Sequence, residues 1–202
     1  LIETTRPAAV ITYPQFVYEI ETATGSGTSL RAIIPTEGIS PTEVSLDQLP
    51  GLSRTSQDIV LLQHSSGTTG LQKGVALSHA AVLHQVESYS HAIQLTEKDV
   101  VVSWLPLYHD MGLIAGFILP ILSRIPLVLM SPFDWVRAPY KLMQSVSKYR
   151  GTLSWLPNFA YNFCAQKIRD RHMEGVDLAS WRASINCSEA VRWGSPPAFF
   201  EK

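Results

Sequence analysis

Residues 100–130 read VVVSWLPLYHDMGLIAGFILPILSRIPLVLM, and the fold turns on this run. Val100–Trp104 is a short apolar strand, and Pro106–Asp110 a loop carrying Tyr108, His109 and Asp110. Met111–Leu122 is a helix without a charge, and Leu127–Met130 a second apolar strand. Strands without a polar face belong to sheets covered on both sides, as parallel sheets are. A membrane span would need about 20 apolar residues, but Pro120, Arg124 and Pro126 interrupt the stretch. Buried helix, turn and strand is the better reading, so no membrane span is expected.

The same alternation extends outward. Downstream come a helix over Trp135–Tyr149, a strand at Thr152–Trp155, and a helix over Asn158–Arg169 with Pro157 as its first residue. A strand at Ala183–Cys187 and a loop at Ser188–Ser195 follow, and the chain ends just inside another helix. Upstream, Ile59–Leu62 reads as a buried strand, and a Ser/Thr/Gly loop leads to a short strand at Val75–Leu77. Ser78 suits the N-cap of a helix from His79 to Gln94. The expected class is α/β, a layered and mainly parallel sheet with flanking helices. Ligands in such sheets bind beyond the carboxyl ends of strands, where three loops with polar side chains fall.

Length and composition agree with one full globular domain or two small ones. Of 202 residues, 46% are hydrophobic and 16% charged, which excludes a disordered or coiled-coil chain. The net charge of −1 provides no overall basic surplus for nucleic acid. Only Cys164 and Cys187 are present, so a disulfide framework is not expected and a cytoplasmic setting is. Charge divides the chain near residue 58. Residues 1–58 hold three basic and seven acidic side chains; the remainder holds thirteen and ten, with all five tryptophans. We therefore read 1–57 as a strand- and loop-rich segment with extended stretches at Ala9–Tyr13, Phe16–Ile20 and Leu30–Pro35. Residues 58–202 form the α/β core. Leu1 is no initiator Met and neither end resembles a natural terminus, so a piece of a larger protein is expected.

The first informative loop is His64-Ser65-Ser66-Gly67-Thr68-Thr69-Gly70-Leu71-Gln72-Lys73-Gly74. Two glycines three apart let the backbone turn tightly, and four hydroxyls and one ammonium can converge on the hollow. Many donors, one mobile positive charge and little side-chain bulk are what a polyphosphate requires. A Walker loop fits poorly, because Lys73 precedes a glycine and not Ser or Thr. The second is Tyr108-His109-Asp110-Met111-Gly112-Leu113, a histidine after a buried strand and ahead of a helix start. The third is Ser184-Ile185-Asn186-Cys187-Ser188-Glu189-Ala190-Val191, a strand end and helix cap.

Taken in order, these strings resemble the motifs of the AMP-forming acyl synthetases, the adenylate-forming superfamily of acyl-CoA synthetases, fatty acyl-AMP ligases and peptide-synthetase adenylation domains. The resemblance runs from Asp58 to Lys202. It implies that Ser65, Ser66, Gly67, Thr68, Thr69, Gly70 and Lys73 grip the ATP phosphates, with Lys73 acting in catalysis. It further implies that His109 orients the reacting carboxylate, with Asp110, Met111 and Gly112 lining the substrate site beside it. Asn186, Cys187, Ser188 and Glu189 would support adenosine. Two departures are visible. Gln72 stands where the family often has Pro, and Cys187, Ser188 and Ala190 replace Gly, Ala and Pro. Met130–Phe133 and Trp155–Tyr161 resemble tunnel-wall segments of the fatty acyl-AMP ligase branch, though packing in the core explains each aromatic singly as well.

The implied activity is activation of a carboxylic acid, of the fatty-acid class, by ATP to acyl-AMP and pyrophosphate. Transfer to a thiol, CoA or a carrier protein's phosphopantetheine, would follow, with Mg²⁺ accompanying the ATP. The family's later motifs and mobile C-terminal domain lie beyond this chain, so the segment alone is expected to be inactive. An aminoacyl adenylation domain would usually show Phe-Asp-x-Ser where Tyr108-His109-Asp110-Met111 stands. A non-catalytic acyl-nucleotide-binding domain and a phosphotransferase releasing ADP remain alternatives. His64, His79, His84, His91 and His172 have no metal-ligand spacing with cysteine, so no protein metal site is expected.

Overall fold

The computed structural model describes residues 6–24, 29–40, 43, 45–64, 74–190 and 195–200, in two compact units, Leu1–Arg54 and Thr55–Lys202. In the first unit, β1 (Ala9–Thr12) and β2 (Ala32–Pro35) pair in parallel from Ala9↔Ala32 to Thr12↔Pro35, with α1 (Val17–Ala23) between them in sequence. Residues 16–20, expected to be extended, are instead helical, Phe16 ending a 3₁₀ turn and Val17–Ile20 lying in α1. Pro14 opens a 3₁₀ turn (Pro14–Phe16), where its fixed φ suits a first helical turn. Val17 and Ile20, three apart, then share the half-buried side of α1, a spacing that only a helix satisfies.

The second unit begins with an antiparallel hairpin of β3 (Ile59–His64) and β4 (Gly74–Ser78), closed by the His64↔Gly74 pair. β3 is not the doubly covered strand its apolar run suggested: Ile59, Val60 and Leu62 are exposed. It pairs with β4 alone, and a register shift between Ile59 and Leu61 marks a bulge. Ser78 caps α2 (His79–Ala92), its Oγ accepting the Ala81 N–H at 3.2 Å.

The remaining chain builds a four-stranded parallel sheet. β5 (Val101–Ser103) runs into α3 (Asp110–Leu113), a π-helical turn (Ile114–Ile118) and α4 (Leu119–Leu122) before β6 (Leu127–Leu129). Next come α5 (Pro132–Arg137), α6 (Tyr140–Tyr149), β7 (Leu153–Pro157) and α7 (Asn158–Lys167). β8 (Ala183–Cys187) and α8 (Ser195–Phe200) complete the described chain. The spatial strand order is β6-β5-β7-β8.

Prolines account for two departures from the simpler expectation. The helix expected over 111–122 passes through a π turn because Pro120 has no N–H for the i−4 carbonyl, and the ladder slips ahead of it. The helix expected over 135–149 is two helices. Pro139 forces Ala138 out of the helical region, to φ −146° and ψ 71°. Pro157 ends β7 and caps α7 from outside, one position ahead of the expected role.

Glycines show which helices cover which face. A Cβ at Gly116 would lie 2.6 Å from Ser103 Oγ, whereas one at Gly151 would lie 2.5 Å from Val102 Cγ2 and 3.2 Å from Val146 Cα. Ser103 and Val102 point to opposite faces of β5, so the α3–α4 segment and α6 sandwich the sheet. Val101, Val102, Leu153, Trp155 and Leu156 are fully buried between these layers, each contributing about 1.5–3 kcal/mol of burial free energy.

At the amino edge of the sheet one carboxylate ties three strands together. Asp99, just before β5, takes Thr152 Oγ1 and Arg182 Nε on Oδ1, both at 2.7 Å. Its Oδ2 takes the Thr96 N–H at 2.8 Å and Arg182 Nη2 at 2.9 Å. Thr152 precedes β7 and Arg182 precedes β8. Burial alone would raise the Asp99 pKa, but the donors from Arg182, Thr152 and Thr96 outweigh it and hold the carboxyl well below the usual carboxylate range. An Arg182→Met chain should lose about 3 kcal/mol of unfolding free energy in urea denaturation, the lower end for a buried charge left unpaired, because Arg182 is partly exposed. A carboxyl depressed in the native state stabilises fully above its unfolded pKa of about 3.9 and progressively less as pH falls below it. The Arg182→Met deficit should therefore be constant near neutrality and shrink as the medium is acidified below that value.

Candidate active site at the carboxyl edge of the sheet

Because all four strands are parallel, their carboxyl ends lie along one edge. The chain passes from β5 to β6 on one side, then crosses back to β7 on the other. That reversal makes β5/β7 the topological switch point, where open α/β sheets leave a crevice for ligands. His109 follows β5, Phe159 follows β7, and Asn186–Glu189 end and follow β8.

His109 is held from both sides. Its N–H donates to the Pro106 carbonyl at 3.1 Å, closing the turn that leaves β5. Its carbonyl accepts the Leu113 N–H at 2.9 Å, making it the N-cap of α3. Asp110 Oδ1 lies 2.7 Å from His109 Nδ1 and accepts the Met111 N–H at 2.7 Å, with Nδ1 a longer second partner of that amide at 3.4 Å. The ring is about half exposed, so it is oriented without being sealed in. Gly112 is what lets α3 start here: a Cβ would run into the same Pro106 carbonyl that accepts the His109 N–H. Met111 is half-buried against the core and Gly112 is buried, whereas Leu107 and Tyr108 are exposed.

The β8 loop is tied to the start of α7 by two links. Asn186 Nδ2 donates to Asn158 Oδ1 at 3.2 Å, and the Phe159 N–H donates to Glu189 Oε1 at 2.6 Å. Ser188 adopts φ +73°, a left-handed conformation that costs a non-glycine residue free energy. Ser188 Oγ lies 3.6 Å from Cys187 Sγ. Burial pushes the Cys187 thiol up, against the Ser188 hydrogen bond, and the Asp110 carboxylate adds to the rise. The β5 and β8 loops leave the carboxyl ends of the two strands that flank β7.

An aromatic wall stands beside this crevice. Trp104 and Trp135 stack face to face at 3.6 Å and 5°, and Phe159 meets both edge-on at 6.3 Å. Both indole rings are buried, and neither Nε1 has an acceptor among the described residues. The Trp104–Trp135 pairing joins the residue after β5 to α5 and leaves no local mark in the sequence. Of the two wall segments singled out from the sequence, Phe133 and Phe159 are open to solvent. Trp155 and Tyr161 are core: Trp155 Nε1 donates to Tyr89 Oη at 2.7 Å, and Tyr161 Oη lies 2.8 Å from Ser184 Oγ.

Ser65, Ser66, Gly67, Thr68, Thr69, Gly70 and Lys73 lie outside the described residues, as does any cleft between Lys73 and His109. A cavity of about 300 Å³ lies elsewhere, lined by Met143, Cys164, Ile168, Trp181, Ser184 and Phe199 among others; its lining includes none of His109, Asp110, Asn186 or Glu189. Cys164, in that cavity, has its thiol pushed up to about 12 by burial. Among the described residues no group of three His, Cys, Asp or Glu side chains could hold a metal ion. No described helix is long and apolar enough to cross a membrane.

A model of the AMP-binding enzyme family matches residues 2–195, and the chain belongs to that family. The medium-chain-fatty-acid–[acyl-carrier-protein] ligase TtuA of Teredinibacter turnerae is 35% identical over 150 residues, covering 74% of this chain and 23% of TtuA. The long-chain-fatty-acid–AMP ligase FadD26 of Mycobacterium bovis is 31% identical across this chain, which spans 35% of its length. The crystal structure of a fatty acyl-adenylate ligase from L. pneumophila, in complex with acyl adenylate and pyrophosphate, superposes with a TM-score of 0.79 at 29% identity. That match covers 99% of this chain and 34% of the other. The chain thus spans between 23% and 35% of the length of these relatives. The parallel sheet with flanking helices is the architecture of the adenylate-forming N-terminal domain.

Gly112→Ala sets two effects against each other. Replacing a helical glycine gains about 1 kcal/mol of propensity, and overpacking against a backbone carbonyl costs about 1–3 kcal/mol. The carbonyl cannot rotate away, so Gly112→Ala should lower the urea midpoint of the chain. Gly116→Ala, which meets the Ser103 hydroxyl, should lower it less.

Proposed function

We propose that the full-length protein activates a carboxylic acid, of the fatty-acid class, with ATP to acyl-AMP and pyrophosphate, then passes the acyl group to the thiol of CoA or of a carrier protein's phosphopantetheine. Residues 58–202 would be the nucleotide- and acyl-binding core. The observation that carries this reading is that the His109–Asp110 turn, Phe159 and the 186–189 loop all leave the carboxyl ends of β5, β7 and β8, the last two joined by the Glu189–Phe159 and Asn186–Asn158 bonds beside the Trp104–Trp135 stack.

In the first step a carboxylate oxygen bonds to the α-phosphorus of ATP, and the bond from that phosphorus to pyrophosphate breaks. Two obstacles oppose it: repulsion between carboxylate and triphosphate, and charge growing on the departing pyrophosphate. Lys73, the hydroxyls of Ser65, Ser66, Thr68 and Thr69 and the N–H groups around Gly67 and Gly70 are the donors suited to neutralise that charge. His109, oriented by its backbone ties, would direct the carboxylate, with Asp110, Met111 and Gly112 shaping the site around it. The backbone of 186–189 would lie against adenosine. Mg²⁺ would arrive on the triphosphate.

The test is a panel of carboxylic acids offered to the full-length enzyme, scored for AMP and pyrophosphate release with and without CoA or a phosphopantetheinylated carrier protein. Fatty acids should release both products. ADP release, or amino acids as better substrates, would refute the reading. Lys73→Ala should slow ATP–pyrophosphate exchange about a hundredfold, the effect of removing one charged donor from a transition state.

A further inference from the structure

The side chain of Glu189 is engaged by the start of α7. Its Oε1 accepts the Phe159 N–H at 2.6 Å, in the first turn of α7. That amide has no partner within its own helix, and a carboxylate there also complements the positive end of the helix. Beside this link, Asn186 Nδ2 holds Asn158 Oδ1, and Asn158 is 3% exposed. The loop after β8 is therefore tied to two successive residues at the start of α7.

Phe159 is what makes these ties consequential. Its backbone belongs to the Glu189 link, while its ring, 51% exposed, meets both Trp104 and Trp135 at 6.3 Å, at 81° and 76°. The stacked indoles are themselves buried, so Phe159 is the member of the wall that solvent or a ligand reaches. Where its ring stands depends on where the first turn of α7 stands, and Glu189 sets that.

We propose that Glu189 is a positioning residue for the acyl chain: through the Phe159 N–H it fixes the Phe159 ring against the Trp104–Trp135 stack and so couples the nucleotide-side loop to the apolar wall. The inference rests on the acid-activation reading above. It predicts that the Glu189 side chain governs how the acid is held more than how ATP is held.

The experiment uses the full-length enzyme and dodecanoate, measuring dodecanoate binding by titration calorimetry without ATP, and KM for dodecanoate and for ATP in AMP release. Glu189→Ala should weaken dodecanoate binding and raise its KM about fivefold, the effect of losing one such hydrogen bond, while raising KM for ATP much less. Glu189→Gln, which keeps an acceptor oxygen, should restore most of the loss. Phe159→Ala should give a similar loss, and combining it with Glu189→Ala should add little, since both act through one ring. Additive losses, a larger effect on ATP than on dodecanoate, or unchanged dodecanoate binding would overturn the proposal. A wild-type enzyme that binds dodecanoate with the predicted dependence on Glu189 yet releases no AMP with any acid would refute the proposed function and leave the Glu189–Phe159 link standing.

Discussion

The buried Asp99 carboxylate is the constraint on which the rest of this fold depends. Taking a charge out of water is costly, and here five donors from Thr96, Thr152 and Arg182 offset that cost. Each donor except those of Thr96 comes from the residue just ahead of another strand. The network therefore fixes the relative start of β5, β7 and β8. Arg182 extends the tie to the end of α2 by donating to the Ile93 and Gln94 carbonyls at 3.0 and 3.3 Å. Parallel strands started together also finish together, and that places three chemically unrelated loops along one edge.

At that edge the division of labour follows from what each strand delivers. β5 delivers a histidine pinned by its own turn, with a glycine clearing the way for the helix behind it. β7 delivers a proline that ends the strand and an aromatic ring on the first turn of α7. β8 delivers a loop whose polar side chains reach back to that same turn. The switch point gathers them, because the chain reverses its lateral direction between β6 and β7. Rigidity at the amino edge and open loops at the carboxyl edge are the arrangement that lets a scaffold hold a reacting group without burying it.

The aromatic groups divide by the same logic. Trp155 and Tyr161 each satisfy their polar atom with a partner inside the sandwich and serve packing. Trp104 and Trp135 leave their indole N–H groups without an acceptor among the described residues. Leaving such a donor buried and unpaired costs about 1–3 kcal/mol. Their close stack and the Phe159 edge give that part of the crevice a firm apolar side.

The strand–helix alternation, the cap at Ser78 and the strand at Ala183–Cys187 were legible in the residue order, because each is written locally as period or cap. Proline effects were partly legible: Pro120 and Pro139 mark where ladders must fail, but a pattern alone does not say whether a helix slips into a π turn or breaks in two. The exposure of β3 was not legible, since four apolar residues in a row look the same in a hairpin as in a sheet covered on both sides. Nor was the helical state of residues 16–20, where a short apolar run fits either period. Glu189 could be singled out by position, but its bond to Phe159 joins residues thirty apart, and the Trp104–Trp135 stack is likewise nonlocal. Local chemistry thus determined which groups this protein carries. Only tertiary structure decided which of them meet, because strand order and the crossing at the switch point are set by packing energies summed over the whole sheet.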